Sequence, residues 1–235
     1  MNWPSKILND INSILLPQVC FGCNAHLSGG ENLLCTVCRH DLPLTDYNFR
    51  EENPVDRIFY GRVPIEKAAS FLHFSDHGIV KNLLHYLKYK NQEEVGQFIG
   101  NWFGERLAHD YLHEIDVVVP VPLHPKKLKK RGYNQVELFG KQLALSFNAV
   151  YRNDVLIKTQ NTKTQTKKNR LARLKSNQDL FVINDTKGLE HKKILLVDDV
   201  ITTGATIEAC TIALLQIPKT KVFVATIAVV PLNRS

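Results

Sequence analysis

The chain has 235 residues, 44% of them hydrophobic and 23% charged, which supports a packed core and argues against a disordered chain. The length allows one large domain, or an α/β domain with a small appendage. Net charge is +7 (30 Lys and Arg against 23 Asp and Glu), and concentrated positive charge of this kind favours a polyanionic partner.

Met1 to Leu16 carries a short apolar patch without the charged segment and long apolar core of a signal peptide. No apolar run is long enough to span a membrane. The expectation is a cytoplasmic protein with no membrane insertion.

Four of five cysteines follow, as Cys20-x-x-Cys23 and Cys35-x-x-Cys38. Each pair can direct two thiolates at one ion, and the residues between the pairs can fold back to complete a tetrahedron. Gly22, Gly29 and Gly30 supply turns. Disulfides are the alternative; a cytoplasmic setting and the unpaired Cys210 argue against them. The expectation is a structural zinc site. Four cysteine ligands leave no open position for catalytic water, and the metal holds together a segment too small to build its own core. Residues 1–53 are read as this zinc module and residues 54–235 as the main domain, with Leu44 to Pro64 irregular.

Ile79, Val80, Leu83, Leu84 and Leu87 recur at helical spacing, as do Val95, Phe98, Ile99, Trp102, Phe103 and Leu107. Ile115–Val119 reads as a buried strand that runs into Pro120-Val121-Pro122 and a basic loop. Gln135–Phe147 is helical, and Val155–Ile157 and Leu180–Ile183 are short strands. Lys193–Asp198 is an apolar strand, Thr206–Gln216 a helix and Lys221–Val230 a strand. Strands alternating with helices predict an α/β fold, a parallel sheet with helices on both faces. Two basic stretches hold no acid. Lys126, Lys127, Lys129, Lys130 and Arg131 form one; Lys158, Lys163, Lys167, Lys168, Arg170, Arg173 and Lys175 form the other. Either is a polyanion contact or a solvated loop.

The strongest signal is KILLVDDVITTGAT, Lys193 to Thr206. Asp198 and Asp199 fall near the carboxyl end of a strand, where open parallel sheets bind ligands. They can accept hydrogen bonds from two ribose hydroxyls or hold a divalent metal. Thr202, Thr203, Gly204, Ala205 and Thr206 then offer small side chains, hydroxyls, backbone N–H groups and a helix N-terminus to a phosphate. Three other readings fit less well. A Walker loop needs a Gly-Lys-Ser/Thr ending. A receiver domain needs more chain than the 36 residues after Asp199. A structural acid pair leaves the rest of the motif without a purpose.

Val197 to Thr206 resembles the PRPP-binding motif of type I phosphoribosyltransferases, where PRPP is 5-phosphoribosyl 1-diphosphate. With the four cysteines, with KKRGYNQ (Lys129 to Gln135) and with the basic stretch Thr162 to Phe181, nearly the whole chain is similar to the ComF family. These are competence-associated, phosphoribosyltransferase-like proteins. The resemblance implies a type I phosphoribosyltransferase-like sheet behind a zinc module. It implies that Asp198 and Asp199 meet the ribose and that Thr202 to Thr206 hold the 5′-phosphate. It also implies that the turn around Val121 and Pro122 receives pyrophosphate and that Mg²⁺ accompanies PRPP. Arg131 is the candidate for closing on the pyrophosphate. Tyr133 and Asn134 are divided between ligand contact and helix start. In the basic stretch, Gln165, Thr166, Arg170, Arg173 and Phe181 fit the family's lid, while Ser176 stands where Asn is usual and Asn177 follows it.

Three functions follow from the resemblance. One is a phosphoribosyltransferase in nucleotide metabolism with an unspecified acceptor. The second is a PRPP-pocket protein that handles single-stranded DNA during natural transformation, with Lys126, Lys127, Lys129, Lys130, Arg170 and Arg173 as the nucleic-acid contacts. The third is a PRPP-sensing regulator that binds a protein partner such as a helicase. The second is the leading expectation.

Overall fold

The computed structural model describes residues 18–111, 115–159 and 180–231. In chain order the elements are α1 (Thr36–His40), α2 (Pro54–Arg57), β1 (Lys67–His73), α3 (Ile79–Tyr89), α4 (Glu94–Tyr111), β2 (Val117–Pro120), α5 (Pro125–Arg131), α6 (Glu137–Phe147), β3 (Val150–Tyr151), β4 (Leu156–Lys158), β5 (Phe181–Ile183), β6 (Lys193–Ile201), α7 (Ala205–Leu214) and β7 (Lys221–Val229). Five strands form one parallel sheet in the order β1-β7-β6-β2-β3.

The apolar runs of β2, β6 and β7 reflect a sheet covered on both faces. Side chains alternate along a strand. Leu195, Val197, Phe223 and Ala225 therefore join Phe71, Phe103 and Phe139 beneath α3, α4 and α6. Ile194, Leu196, Val222 and Val224 join Val55, Phe59, Ile207 and Leu214 beneath α2 and α7. Helices α4 and α6 approach closely because α4 presents glycines. A Cβ at Gly100 would lie 2.8 Å from the Phe139 carbonyl oxygen.

The fold class agrees with the sequence, and several local details differ. Strand β1 carries no clear sequence signal, because Ala68, Ala69 and Ser70 are poor strand formers. Its place beside the buried β7 makes it a strand. The irregular stretch before Pro64 contains α2, started by a capping box in which Asn53 accepts from the Val55 N–H at 2.9 Å and Asp56 reaches back to the Asn53 N–H at 3.1 Å. The basic loop after Pro122 is a short helix, α5, with His124 at its N-cap and Gly132, in the left-handed region, at its end. Strands β4 and β5 pair antiparallel with each other, outside the main sheet. Strand β6 continues to Ile201, so both acids lie inside it.

The cysteine segment does not fold around metal alone. Cys20, Leu34, Cys38 and Leu42 belong to the same buried cluster as Phe49, Leu72 and Val80. Phe21 stacks on Tyr86 of α3 with ring centroids 4.2 Å apart. The Asn82 amide donates to the Gly22 carbonyl at 2.7 Å.

Candidate functional site

From β2 the chain crosses to β3 on one side of the sheet, and from β6 it crosses to β7 on the other. The gap between β2 and β6 is therefore the topological switch point, where ligands settle in open parallel sheets. Pairing with β2 ends at Pro120 opposite Val197, while pairing with β7 runs on to Ile201. Asp198 and Asp199 are thus the first residues of β6 to rise past the end of β2, into that crevice.

The two acids have different neighbours because adjacent strand residues face opposite ways. Asp199 turns toward α3 and α6. It forms an ion pair with Lys88 at 2.8 Å and accepts from the Gln135 amide at 3.0 Å. Gln135 in turn accepts from the Arg131 guanidinium, which also lies 5.5 Å from the Tyr89 ring centroid. Asp198 turns the other way. Burial, and then the negative charge of Asp199, push its carboxyl well above the usual carboxylate range. The Asp199 N–H at 2.8 Å and the charges of Lys88 and Lys158 offset this in part. A nearly buried acid strained in this way, beside a second acid paired with Lys88, makes a site that favours added positive charge.

After Ile201 the chain turns through Thr202 and Thr203 to Gly204, which begins α7. Gly204 has φ +76°, and a Cβ there would meet Ile58 Cγ2 at 2.7 Å. Both facts call for glycine. Ala205 and Thr206 open the first turn of α7, so their N–H groups belong to a helix N-terminus. Behind this loop lies Arg62. It donates to the Thr203 carbonyl at 2.6 Å and pairs with Glu208 of α7.

On the β2 side, Val121 is buried and its N–H is committed to the Val197 carbonyl at 2.9 Å. Pro122 is half-buried and lines a cleft of about 630 Å³ with Pro120, Asn134 and Lys158. Asn134 has a structural role: its amide donates to the Val121 carbonyl at 3.0 Å, and its side-chain oxygen accepts from the Val136 N–H at 3.3 Å. Tyr133 is buried and its hydroxyl donates to the Leu87 carbonyl, tying the α5–α6 turn to α3. Lys126, Lys127, Lys129 and Lys130 are exposed on α5. Arg170 and Arg173 lie outside the described residues.

The four cysteine sulfurs lie within 4.8 Å of one another, and Cys23 and Cys35 are 3.9 Å apart. A tetrahedron of zinc–sulfur bonds of ~2.3 Å places sulfurs about 3.8 Å apart, so the cluster has the size of a zinc site. Burial raises the Cys20 thiol, but backbone N–H groups from Cys35, Cys23 and Gly22 bring it down to about 7. Burial and the other three cysteines drive Cys38 well up. A cation among the sulfurs would offset the mutual repulsion that raises Cys38. Their donor set suits a metal such as zinc.

Lys88 and Arg62 have no sequence signal as site residues, and Gln135, although it closes the KKRGYNQ motif, is assigned no site role from sequence. Lys88 lies on an ordinary amphipathic helix, Gln135 is read as the start of a helix, and Arg62 falls in the irregular stretch. Only long-range packing brings them to β6 and α7.

Residues 85–231 match the phosphoribosyl transferase domain family. Among curated proteins, Competence protein F of Haemophilus influenzae is 34% identical over 95 residues, which span 39% of this chain and 41% of that protein. Competence protein ComFC of Bacillus subtilis is 27% identical over 202 residues, 85% of this chain and 78% of the relative. DNA utilization protein YhgH of Escherichia coli is 23% identical over 210 residues, 83% of this chain and 89% of the relative. Among solved structures, a hypoxanthine phosphoribosyltransferase from Staphylococcus aureus matches with a TM-score of 0.34 and 20% identity, covering 57% of this chain and 62% of that one.

Proposed function

This chain belongs to the phosphoribosyl transferase domain family, as a ComF-family phosphoribosyltransferase-like protein, and from that premise we propose that it binds PRPP or a related 5-phosphoribosyl ligand with Mg²⁺ and acts in the uptake or use of DNA. One observation carries the ligand: two nearly buried acids rise past the end of β2 at the switch point, a few residues before a glycine-opened helix N-terminus. Carboxylates suit ribose hydroxyls, and the loop suits a phosphate. The names of the relatives supply the setting, competence and DNA utilization.

In this reading Asp198 and Asp199 accept the ribose hydroxyls, and the N–H and hydroxyl groups of Thr202 to Thr206 hold the 5′-phosphate. The diphosphate lies toward Val121, Pro122 and Arg131, with Lys88 released from Asp199 as the ligand arrives. Asp198 and Asp199 would hold Mg²⁺, directly or through water, and the ion would supply positive charge at the diphosphate. If turnover occurs, a nitrogen nucleophile displaces pyrophosphate at the anomeric carbon. The protein then contributes position and charge stabilisation.

Calorimetry with PRPP and Mg²⁺ tests the pocket. Wild type binds, and Asp198→Asn/Asp199→Asn does not. Equal affinity in the two proteins refutes the assignment. Pyrophosphate release with a panel of bases then separates an enzyme from a binding protein.

The DNA setting has one structural observation behind it. The exposed lysines of α5 adjoin Arg131, which sits over Tyr89, itself 66% exposed. A basic edge with an exposed aromatic suits single-stranded DNA. Such binding weakens steeply with salt, and its absence at low salt removes this reading.

A further inference from the structure

The Arg62 guanidinium grips the back of the phosphate loop across 141 residues of sequence. Its Nη1 donates to the Thr203 carbonyl at 2.6 Å and to the Ile58 carbonyl at 3.0 Å. Its Nε donates to Glu208 Oε2 at 3.1 Å, and Nη2 bonds the same oxygen. One rigid fork therefore joins the segment after α2, the loop and the first turn of α7. A lysine cannot do this, because its single ammonium does not offer a planar fork.

The consequence lies in the peptide plane. The Thr203–Gly204 bond is trans, as are all bonds in the described chain. In a trans peptide the carbonyl and the N–H point in opposite directions. Holding the Thr203 oxygen toward Arg62 therefore directs the Gly204 N–H away from it, to the opposite side of the loop. Gly204 has no Cβ to bias this plane and sits at φ +76°; within the loop the Ala205 N–H meets the Thr203 hydroxyl at 3.4 Å, and Arg62 adds a restraint on the Thr203 carbonyl from outside it. Glu208 raises a second issue. It is an acid in the first turn of α7, near the proposed anion, and Arg62 neutralises it.

We propose that Arg62 is a positioning residue for the 5′-phosphate, fixing the Thr203–Gly204 peptide so that the Gly204 N–H faces the ligand. The inference rests on the phosphoribosyl reading of the loop, and it makes the stretch before β1 part of the phosphate site.

The test uses the full zinc-loaded chain with two probes, ribose 5-phosphate for the loop and inorganic pyrophosphate with Mg²⁺ for the opposite end of the crevice. Arg62→Ala is expected to weaken ribose 5-phosphate about tenfold or more, the scale of a lost charge-assisted hydrogen bond, and to leave pyrophosphate unchanged. Arg62→Ala/Glu208→Gln stays weak, because removing the acid does not re-aim the peptide. The Gly204 amide resonance shifts with ribose 5-phosphate in wild type and not in Arg62→Ala. Should Arg62→Ala fail to fold, Arg62→Lys keeps the charge without the fork and shows the same selective loss. Three results overturn the proposal: undiminished ribose 5-phosphate binding in the variants, an equal loss for both probes, or full recovery in the double variant. Wild type that binds neither probe sinks the phosphoribosyl reading itself, a different outcome from wild type that binds while Arg62→Ala binds equally well.

Discussion

The four-cysteine cluster and the acid-and-loop crevice draw on very different spans of chain. The sulfurs all come from Cys20 to Cys38, and N–H groups from within that stretch meet them: Gly22 and Cys35 on Cys20, Cys38 on Cys35. The crevice has only its centre in one segment, Asp198 to Thr206. Lys88, Gln135 and Arg62 reach it from three other places. Four thiols within 4.8 Å of one another could hold one ion, and such a site is a local folding device. The crevice proposed for a sugar phosphate draws charge and restraint from several directions, which a single segment cannot provide. The two meet through α3, which the cysteine segment packs against and which carries Lys88.

If the four cysteines hold zinc, removing it should have the largest effect on this contrast. Cys38→Ser, or prolonged chelation, is expected to strip zinc and destabilise the cysteine segment by several kcal/mol, on the order of a structural zinc contribution reduced by its packing on the core. Metal analysis and thermal melting read this directly. An unchanged melting temperature with no metal present would show that the apolar packing of Cys20, Leu34 and Leu42 suffices.

Gly204→Ala acts on the other site alone. The strained left-handed backbone and the contact with Ile58 are expected to cost about 1–3 kcal/mol. Ribose 5-phosphate binding should be lost, with zinc content unchanged. If zinc is lost as well, the two sites are more tightly joined than their geometry implies.

The smallest effect probes the link between them. Asn82→Ala deletes the bond to the Gly22 carbonyl and is expected to cost about 1 kcal/mol. Urea unfolding measures that cost, and calorimetry asks whether any of it reaches the acids through α3. A loss of PRPP affinity larger than the loss of stability would make α3 a coupling element.

The legible parts of this protein share one property: their signal is short-range. The Cys-x-x-Cys pairs, the apolar run of β6 and the order of acids, glycine and threonines each fit within a few residues. What was missed depended on neighbours. Lys67 to His73 is a strand because β7 lies beside it, and its Ala-Ala-Ser centre gives no hint of that. The acids, adjacent in sequence, have separate partners because a strand turns successive side chains to opposite faces.

By itself, then, the sequence determined two Cys-x-x-Cys pairs at metal-ligand spacing, a parallel α/β sheet and the acid, glycine and threonine segment proposed to meet a ribose phosphate. Tertiary structure decided the rest. It placed the acids beyond the last β2 pairing, set Lys88 against Asp199 and brought Arg62 behind the loop. The reason is physical. Periodicity and motif spacing record which groups lie close along the chain, whereas a buried charge takes its counter-ion, and a flexible peptide its restraint, from whichever element packing brings within hydrogen-bonding distance.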